Sequence, residues 1–218
     1  VVMVAFSFRF HPAIVRLRAL IDEELGTPWM LNGSYVFDWS PDPDGWLWDP
    51  ENGGGFLNEN ACHLFDAVCY LLGEPVSVKA EGVNPMGMPS EHAGALTIRF
   101  ANGAIAALTV GGIGAGAFHT FPRLDLIAEH GQAHLAGRDH IWEQVSWAKR
   151  GEDAVQRLTL PPEALGQTRY TAAFRHFFAC LCTGAAPSAT VADGVRSVAL
   201  AMAVYEAMRT GDRVAVSE

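Results

Sequence analysis

The sequence has few basic residues and no long apolar run. No stretch of about 18 uninterrupted apolar residues occurs, so we expect no transmembrane helix. The 15 Lys and Arg side chains are outnumbered by 24 Asp and Glu, which gives the 218-residue chain a formal net charge of −9. Because nucleic acids and anionic membranes need clustered positive charge, we expect neither as a partner.

Paired cysteine motifs are also missing. The four cysteines are Cys62, Cys69, Cys180 and Cys182. They form no CxxC motif and no zinc-type spacing with histidine, so we expect reduced, structural thiols in a cytoplasmic protein. His130 and His134 are four residues apart, but Gly131 between them and the surrounding strand–turn–strand pattern argue against a metal site.

Helical and strand patterns alternate along the chain. Apolar spacings of three and four residues predict helices over Pro12–Leu25, Leu57–Leu72, Thr168–Cys182 and Thr190–Thr210. Period-two patterns and turn signals predict strands over Val1–Ser7, Trp29–Asp38, Val76–Val83, His92–Phe100, Ala104–Gly111, His119–Glu129, Ala133–Leu135, Ile141–Ala148 and Val155–Leu160. Short turns between successive strands indicate an antiparallel meander. We therefore expect an α+β domain, with a large, mostly antiparallel sheet and helices packed on one face.

Two loops have unusual compositions. The loop Trp39–Gly55 is rich in Pro, Asp, Gly and Trp, and loops of this kind often carry function. A second segment has glycines at 112, 114 and 116 after a strand. A dinucleotide-binding loop needs a helix directly afterwards, whereas Phe118–Pro122 leads into another strand. We therefore interpret the glycines as part of a hairpin and expect no phosphate-binding loop.

The segment GGGFLNENACHLFD, residues 53–66, carries the most chemistry. Glycines before a helix allow a ligand to approach the backbone closely. His63 suits proton transfer, because its ordinary pKa lies near neutral pH. Glu59, one turn earlier, would raise the basicity of His63 or bind a substrate hydroxyl, and Asp66 would orient the ring. The alternative is that this polar stripe is simply a solvated helix face.

The ordered motifs of the chain resemble those of the Gfo/Idh/MocA family, the relatives of glucose–fructose oxidoreductase and inositol dehydrogenase. The resemblance covers essentially the whole chain. It includes FSFRFHPAIVRLRALIDEELGTP, the GGG…H..D segment, LLGEP, IRFANGAIAAL and RTGDRV. It implies that residues 1–218 form the C-terminal substrate-binding and oligomerisation domain, with residues 1–7 as a remnant of the last strand on the side of an N-terminal Rossmann domain.

The resemblance also implies an activity. It implies NAD- or NADP-dependent oxidation or reduction of a sugar, inositol or related polyol, with the cofactor bound mainly by the N-terminal domain. His63 falls on the catalytic histidine of the family, and Glu59 falls where many members have Asp. The positions that resemble substrate contacts are Arg9, Trp48, Asn60 and Tyr170. Some of these positions also have a structural alternative. Arg9 would link the first helix to the sheet, and Trp48 would fill space in the hydrophobic core. Tyr170 would pack at the start of a helix.

The resemblance also leads to expectations about the length, assembly and function of the whole protein. We expect about 120 further residues upstream, the size of one Rossmann half, so that this chain alone is inactive. Members of the family assemble through the sheet, which implies a homo-dimer or homo-tetramer. The alternative functions are a non-catalytic assembly module and a sugar-binding protein that kept only the pocket wall, with tryptophans stacking on the sugar.

Overall fold

A computed structural model describes residues 1–39, 42–49, 54–118, 120–138, 141–161 and 168–217. The predicted Trp-rich loop lies partly outside these residues, as do Gly53 and His119. Within them, the expected α+β architecture is confirmed: α-helices pack on one face of a mostly antiparallel sheet of nine strands. No helix in this part of the chain combines the length and apolarity needed to cross a bilayer.

Apart from the N-terminal strand, the predicted helices and strands are present, with small shifts at their ends. The α-helices are α1 (Pro12–Leu20), α2 (Cys62–Leu72), α3 (Thr168–Thr183) and α4 (Val191–Thr210). The strands are β1 (Pro28–Val36), β2 (Pro75–Val83), β3 (Ala93–Phe100), β4 (Ile105–Gly111), β5 (Thr120–Ala128), β6 (Gly131–Arg138), β7 (Ile141–Lys149), β8 (Gln156–Thr159) and β9 (Val214–Ala215). Helix α1 continues through a π-helical turn, Ile21–Leu25, and stops at Gly26 in a positive-φ conformation, as the sequence predicts.

The strand order corrects the predicted meander at one point. The order is β8-β7-β6-β5-β1-β4-β3-β2-β9, so β1 is inserted between β4 and β5 and runs parallel to β4. The glycine-rich connection from β4 to β5 is therefore not a hairpin, because it crosses the end of β1. Gly114 N–H donates to Phe37 O at 2.9 Å, and a Cβ on Gly114 would lie 2.8 Å from Phe37 Cα. Glycine is needed there for the close crossing.

The predicted N-terminal strand is also wrong. Residues 1–6 have no regular secondary structure and pair with no strand of the described chain. Val4 N–H instead donates to Ala189 O at 3.0 Å, and Val4 packs against Gly194 near the start of α4. A single 3₁₀ turn, Ser7–Phe10, then leads into α1. Val4 packs on a helix, whereas Val1 and Val2 are exposed. A short apolar pattern does not distinguish this arrangement from a strand.

The sheet has one covered face and one open face. Along β3, the side chains of Leu96, Ile98 and Phe100 are buried, whereas Ala95, Thr97 and Arg99 are exposed. The core lies between the covered face and the helices. Helix α2 contributes an entirely apolar stripe to it, namely Leu64, Phe65, Val68, Leu71 and Leu72. Burial of each such side chain contributes about 1.5–3 kcal/mol.

Candidate functional site

His63 lies in the first turn of α2, directly after an unusually wide helical turn. Leu57–Ala61 is π-helical, and Gly54 and Gly55 precede it, each with φ of 71°. Leu57 and Ala61 are fully buried, so the wide turn is anchored to the core while the polar residues between them stay near the surface. π-Helical turns frequently occur at functional sites because the extra residue re-aims neighbouring side chains.

The His63 ring is half-buried against the N-terminal segment. Its centroid lies 6.3 Å from that of Phe6, edge to face, and 5.5 Å from that of Phe8. The Nδ1 atom is buried without a hydrogen-bond partner. Burial lowers the pKa of His63 below its ordinary value, and the positive charge of Arg169 lowers it further. The ring is therefore neutral near pH 7, the form that accepts a proton.

Beneath His63, Phe8 is the centre of an aromatic cluster. We call this the Phe8 cluster, and its members are Phe8, Tyr35, Phe121 and Trp142. The Trp142 ring is 5.0 Å from that of Phe8 and 4.6 Å from that of Phe121. Trp142 is fully buried, and its indole N–H donates to Pro122 O at 2.5 Å. This packing holds the Phe8 ring in place against the His63 ring.

Arg169, from the first turn of α3, covers the Phe8 cluster with a buried positive charge. Its guanidinium carbon lies 5.5 Å from the ring centroids of both Phe8 and Phe121, in cation–π geometry. The charge also lowers the pKa of His11 and acts on Tyr35, so it lies within electrostatic reach of several ionisable groups. The sequence analysis missed Arg169. An arginine at the start of an apolar helix is the only available signal, and it does not reveal burial.

Tyr170, predicted as a substrate contact, lies beside Arg169. The Tyr170 hydroxyl accepts from Arg169 Nη2 at 2.8 Å, and the side chain is 46% exposed. The structure thus brings Tyr170, Arg169 and His63 into one neighbourhood around Phe8. Arg169 is the residue that relates the other two, because it bonds to the Tyr170 hydroxyl and acts electrostatically on His63. The Tyr170 side chain is exposed enough for a ligand to reach it.

Glu59 and Asn60, two of the three polar residues of the π-helical turn, differ in exposure. The Glu59 side chain is exposed, and the structure records no contact between it and His63. Asn60 is half-buried, and its Nδ2 donor has no partner. Each could present a hydrogen-bonding group to a molecule bound outside the helix, but only Asn60 is held in a partly closed environment.

Arg9 is committed to a buried ion network. Its guanidinium pairs with Asp66, with Nε at 2.9 Å from Oδ2, and with Asp193, whose Oδ1 lies 2.9 Å from Nη2. Nη1 donates to Ser188 O. The network ties the Ser7–Phe10 turn to α2 and α4, which favours the structural alternative for Arg9, although the elements joined differ from those expected. Asp66 faces Arg9 in this network and does not orient His63.

Trp48 lies in a different aromatic group. It is buried, and its ring packs on those of Trp39 and His92 at 5.4 and 5.2 Å. Phe56 joins the same group through Trp39 and His92. We call Trp39, Trp48, Phe56 and His92 the tryptophan group. This arrangement favours a core-filling role for Trp48 and places it apart from the Phe8 cluster.

Neither a metal centre nor a phosphate-binding loop is built by the residues that the structure describes. They contain no group of three or more His, Cys, Asp or Glu side chains suited to a metal ion. The glycines at 112, 114 and 116 lead through a 3₁₀ turn, Gly116–Phe118, towards β5. The N-terminus of an α-helix, which would hold a pyrophosphate, does not follow them. This stretch therefore does not fit a dinucleotide.

Comparisons with known proteins agree with this architecture. The family model described as GFO/IDH/MocA C-terminal domain matches residues 14–134. Levoglucosan dehydrogenase of Pseudarthrobacter phenanthrenivorans is 37% identical over 83 residues, which cover 36% of this chain and 21% of that protein. A solved structure of levoglucosan dehydrogenase with NADH and levoglucosan superposes with a TM-score of 0.85 at 23% identity, over 99% of this chain and 66% of that chain.

A second solved structure, an NAD binding oxidoreductase from Klebsiella pneumoniae, has a TM-score of 0.85 at 17% identity, again with 99% and 66% coverage. The fold is that of the α+β domain found at the C-terminal end of proteins in an oxidoreductase family. The chain belongs to the GFO/IDH/MocA family and corresponds to its C-terminal domain. It spans about two thirds of the length of these solved relatives.

Proposed function

We propose that this chain is the substrate-side domain of an NAD- or NADP-dependent oxidoreductase that acts on a hydroxyl group of a sugar or polyol. The observation that carries the proposal is the position of His63. The ring is half-buried, its pKa is lowered, and it faces the N-terminal segment through Phe6. Similarity to levoglucosan dehydrogenase, solved with NADH and levoglucosan, supports a sugar as substrate.

The chemistry requires a neutral base. Oxidation of a secondary alcohol removes one proton from the oxygen and one hydride from the carbon. A nicotinamide cofactor, when bound, takes the hydride. His63 takes the proton at its unprotonated ring nitrogen, and the resulting imidazolium returns the proton in the reverse reaction. Burial against Phe6 and Phe8 maintains the neutral form before the reaction.

Substrate binding is proposed for the polar groups around His63. Asn60 offers an unpartnered amide donor, and Tyr170 offers a half-exposed hydroxyl next to the Arg169 charge. Glu59, exposed one turn before His63, accepts hydrogen bonds from substrate hydroxyls in this proposal. For Arg9 and Trp48, predicted from the resemblance, we propose structural roles, because both are buried within networks of this chain.

We propose that NAD or NADP is held mainly by a domain outside this chain, since the described glycines do not form a dinucleotide loop. A thermal-shift titration of the 218-residue chain with NADH and NADPH should therefore give no saturable shift. A saturable shift would show that the chain binds the cofactor itself. We also propose a cytoplasmic location, where the cysteines remain free thiols.

The catalytic proposal is tested in an enzyme in which this domain is joined to the proposed nucleotide-binding domain. We expect His63→Ala to lower kcat/KM for the sugar or polyol that the enzyme oxidises by about 10²–10⁴-fold, the usual contribution of a general base. The matched control is His130→Ala, because His130 is exposed in the β5–β6 turn. Full activity in the His63→Ala enzyme would remove His63 from the mechanism.

We propose a second role for the open sheet face, as the surface through which copies of the chain assemble. The centre of the face is formed by small and polar side chains, among them Asn32, Ala95, Thr97, Ala107 and Thr109. Such side chains allow two sheets to approach closely. If the chain has no catalytic partner domain, this face supports the alternative function of an assembly module.

Assembly is measured by size-exclusion chromatography with light scattering. The chain should elute as a dimer or tetramer, and Ala107→Arg should convert it to a monomer, because the substitution places a charge at the centre of the face. The control is Ala179→Arg, which adds the same charge at an exposed position of α3. A wild-type monomer at all concentrations would refute assembly through the sheet.

A further inference from the structure

A small cavity lies beside the tryptophan group, apart from the Phe8 cluster. Its volume is about 220 Å³. Its walls come from the Trp-rich loop, the glycines before the π-helical turn, the β2–β3 connection and α4. The lining residues are Trp48, Gly54, Asn58, Pro89, Ser90, Met202 and Tyr205. His63 is not among these described lining residues.

Unpartnered polar atoms are concentrated at this cavity. Trp48 Nε1 and Asn58 Oδ1 are buried without a hydrogen bond, and both residues line it. The buried Ser90 Oγ also lines it and interacts with the Tyr205 hydroxyl. His92, which packs on Trp48 at 5.2 Å, is fully buried, and its ring interacts with the Trp39 backbone. Folded proteins pair nearly all buried polar groups, so such a concentration indicates a bound molecule or ordered water.

The space is maintained by the backbone. Gly54 and Gly55 both have φ of 71°, a conformation that other residues rarely adopt. A Cβ on Gly55 would lie 2.5 Å from Ser90 Oγ and 2.8 Å from Tyr205 Oη. Tyr205 fixes the opposite wall, because its hydroxyl donates to Gly54 O at 2.9 Å. The glycines therefore keep the polar atoms of Ser90 and Tyr205 uncovered.

The chemistry of the walls defines the ligand class. None of the described lining residues carries a formal charge, so the ligand is neutral. The unpartnered atoms are an indole donor and an amide acceptor, the Ser90 hydroxyl lies in the same wall, and ligand hydroxyl groups satisfy both donors and acceptors. The Trp48 and Tyr205 rings offer apolar surface for C–H groups. The volume equals that of about seven liquid water molecules, which suits a molecule of only a few carbons.

We propose that this cavity is a binding site for a small, neutral polyhydroxyl molecule, separate from the His63 site. The separation follows from the ring contacts. The ring contacts lead from Trp48 through Trp39 to Phe56, and then through Phe37, Tyr35 and Phe8 to His63. The proposal does not depend on the proposed oxidoreductase activity, because no residue of the cavity takes part in it.

The experiment is an NMR titration of the 218-residue chain labelled with ¹⁵N, using glycerol and erythritol as probes and tert-butanol as a control with one hydroxyl. The reporter is the Trp48 indole N–H signal, assigned with Trp48→Phe. The matched control signal is that of Trp46, which is in the same loop but 65% exposed. We expect glycerol or erythritol to shift the Trp48 signal saturably, with the Trp46 signal unchanged.

Two variants test the assignment of the site. Ser90→Ala should weaken the affinity about threefold to tenfold, the effect of one lost hydrogen bond. Asn58→Leu should abolish the shift by replacing the amide acceptor with methyl groups, and Ser146→Ala, on β7, should leave it unchanged. Shifts that rise linearly with probe concentration, that appear equally at Trp46, or that keep the wild-type affinity in Ser90→Ala would overturn the proposal and leave ordered water as the occupant.

Discussion

Arg9 Nε lies 2.9 Å from Asp66 Oδ2 and 3.1 Å from Asp66 Oδ1, and both side chains are buried. The Asp66 pKa is raised to about 6 by burial, although Arg9 opposes the rise. Asp66→Asn should lower the free energy of unfolding by about 3 kcal/mol, because the Arg9 charge then loses its main partner in a buried setting. Urea denaturation at pH 7 measures the change.

The control for that experiment is an exposed pair of the same type. Arg18 and Asp22 are four residues apart at the end of α1, and the Asp22 side chain is 58% exposed. Asp22→Asn should cost less than about 1 kcal/mol, since solvent screens the pair. Equal losses in the two variants would show that burial does not set the contribution of the Arg9–Asp66 pair.

The fold was predictable where local patterns decide it. Alternating burial on β3 and the apolar stripe of α2 are set by side-chain periodicity, and Gly26 and Gly73 mark real helix ends. The insertion of β1 between β4 and β5 was not predictable. Strand order depends on long-range pairing, and a period-two pattern carries no information about the partner strand.

The candidate site was predictable only in part. His63 and Glu59 were identified through their spacing and the family resemblance, and the structure places His63 in a partly enclosed position. Arg169 was missed, because its burial results from the packing of α3 on Phe8 and Phe121. Arg9 illustrates the reverse case. Its partners Asp66 and Asp193 are 57 and 184 positions away in the chain, beyond the reach of any local pattern.

His11 should make the protein sensitive to acid. The side chain is 1% exposed, and Nδ1 caps α1 by accepting from Ala13 N–H at 3.1 Å. Burial, aided by the charge of Arg169, lowers its pKa from 6.5 to about 4. The unfolded chain therefore binds this proton first, so stability is complete above pH 6.5 and falls as the pH drops towards 4. The loss corresponds to about 3 kcal/mol.

The measurement compares wild type with His11→Asn across that pH range. Asn caps helices well and does not titrate, so the variant should show a flatter dependence of unfolding free energy on pH. Subtracting the unfolding free energies of the two proteins at each pH cancels the contributions of other titrating groups. One of these is Asp66, whose pKa is raised rather than lowered. Parallel curves for the two proteins would show that His11 is not responsible for acid sensitivity.

Thr190 should contribute through the capping box of α4. Its Oγ1 accepts from Asp193 N–H at 3.3 Å, and its own N–H donates to Asp193 Oδ2 at 2.7 Å. Thr190→Ala should destabilise the chain by about 1 kcal/mol, and Thr190→Ser should restore most of it. Thr210→Ala, at the exposed end of the same helix, is expected to change stability by less than about 0.5 kcal/mol. Thermal unfolding at constant pH distinguishes these outcomes.

Arg169 should control the protonation of His63. Burial is the larger cause of the lowered His63 pKa, and the Arg169 charge is the second cause. Arg169→Met removes the charge but keeps an unbranched apolar stem over Phe8, so the His63 pKa should rise towards its ordinary value. The His11 pKa should rise as well, because Arg169 also lowers it. NMR titration of labelled histidines follows both groups at once.

Arg175→Met is the matched control, because Arg175 is exposed on the same helix. Its His63 and His11 titrations should coincide with those of wild type, and Arg169→Lys should retain most of the lowered pKa because it retains the charge. If His63 titrates identically in wild type and Arg169→Met, burial alone sets its protonation. The electrostatic link from α3 to the proposed base would then be lost.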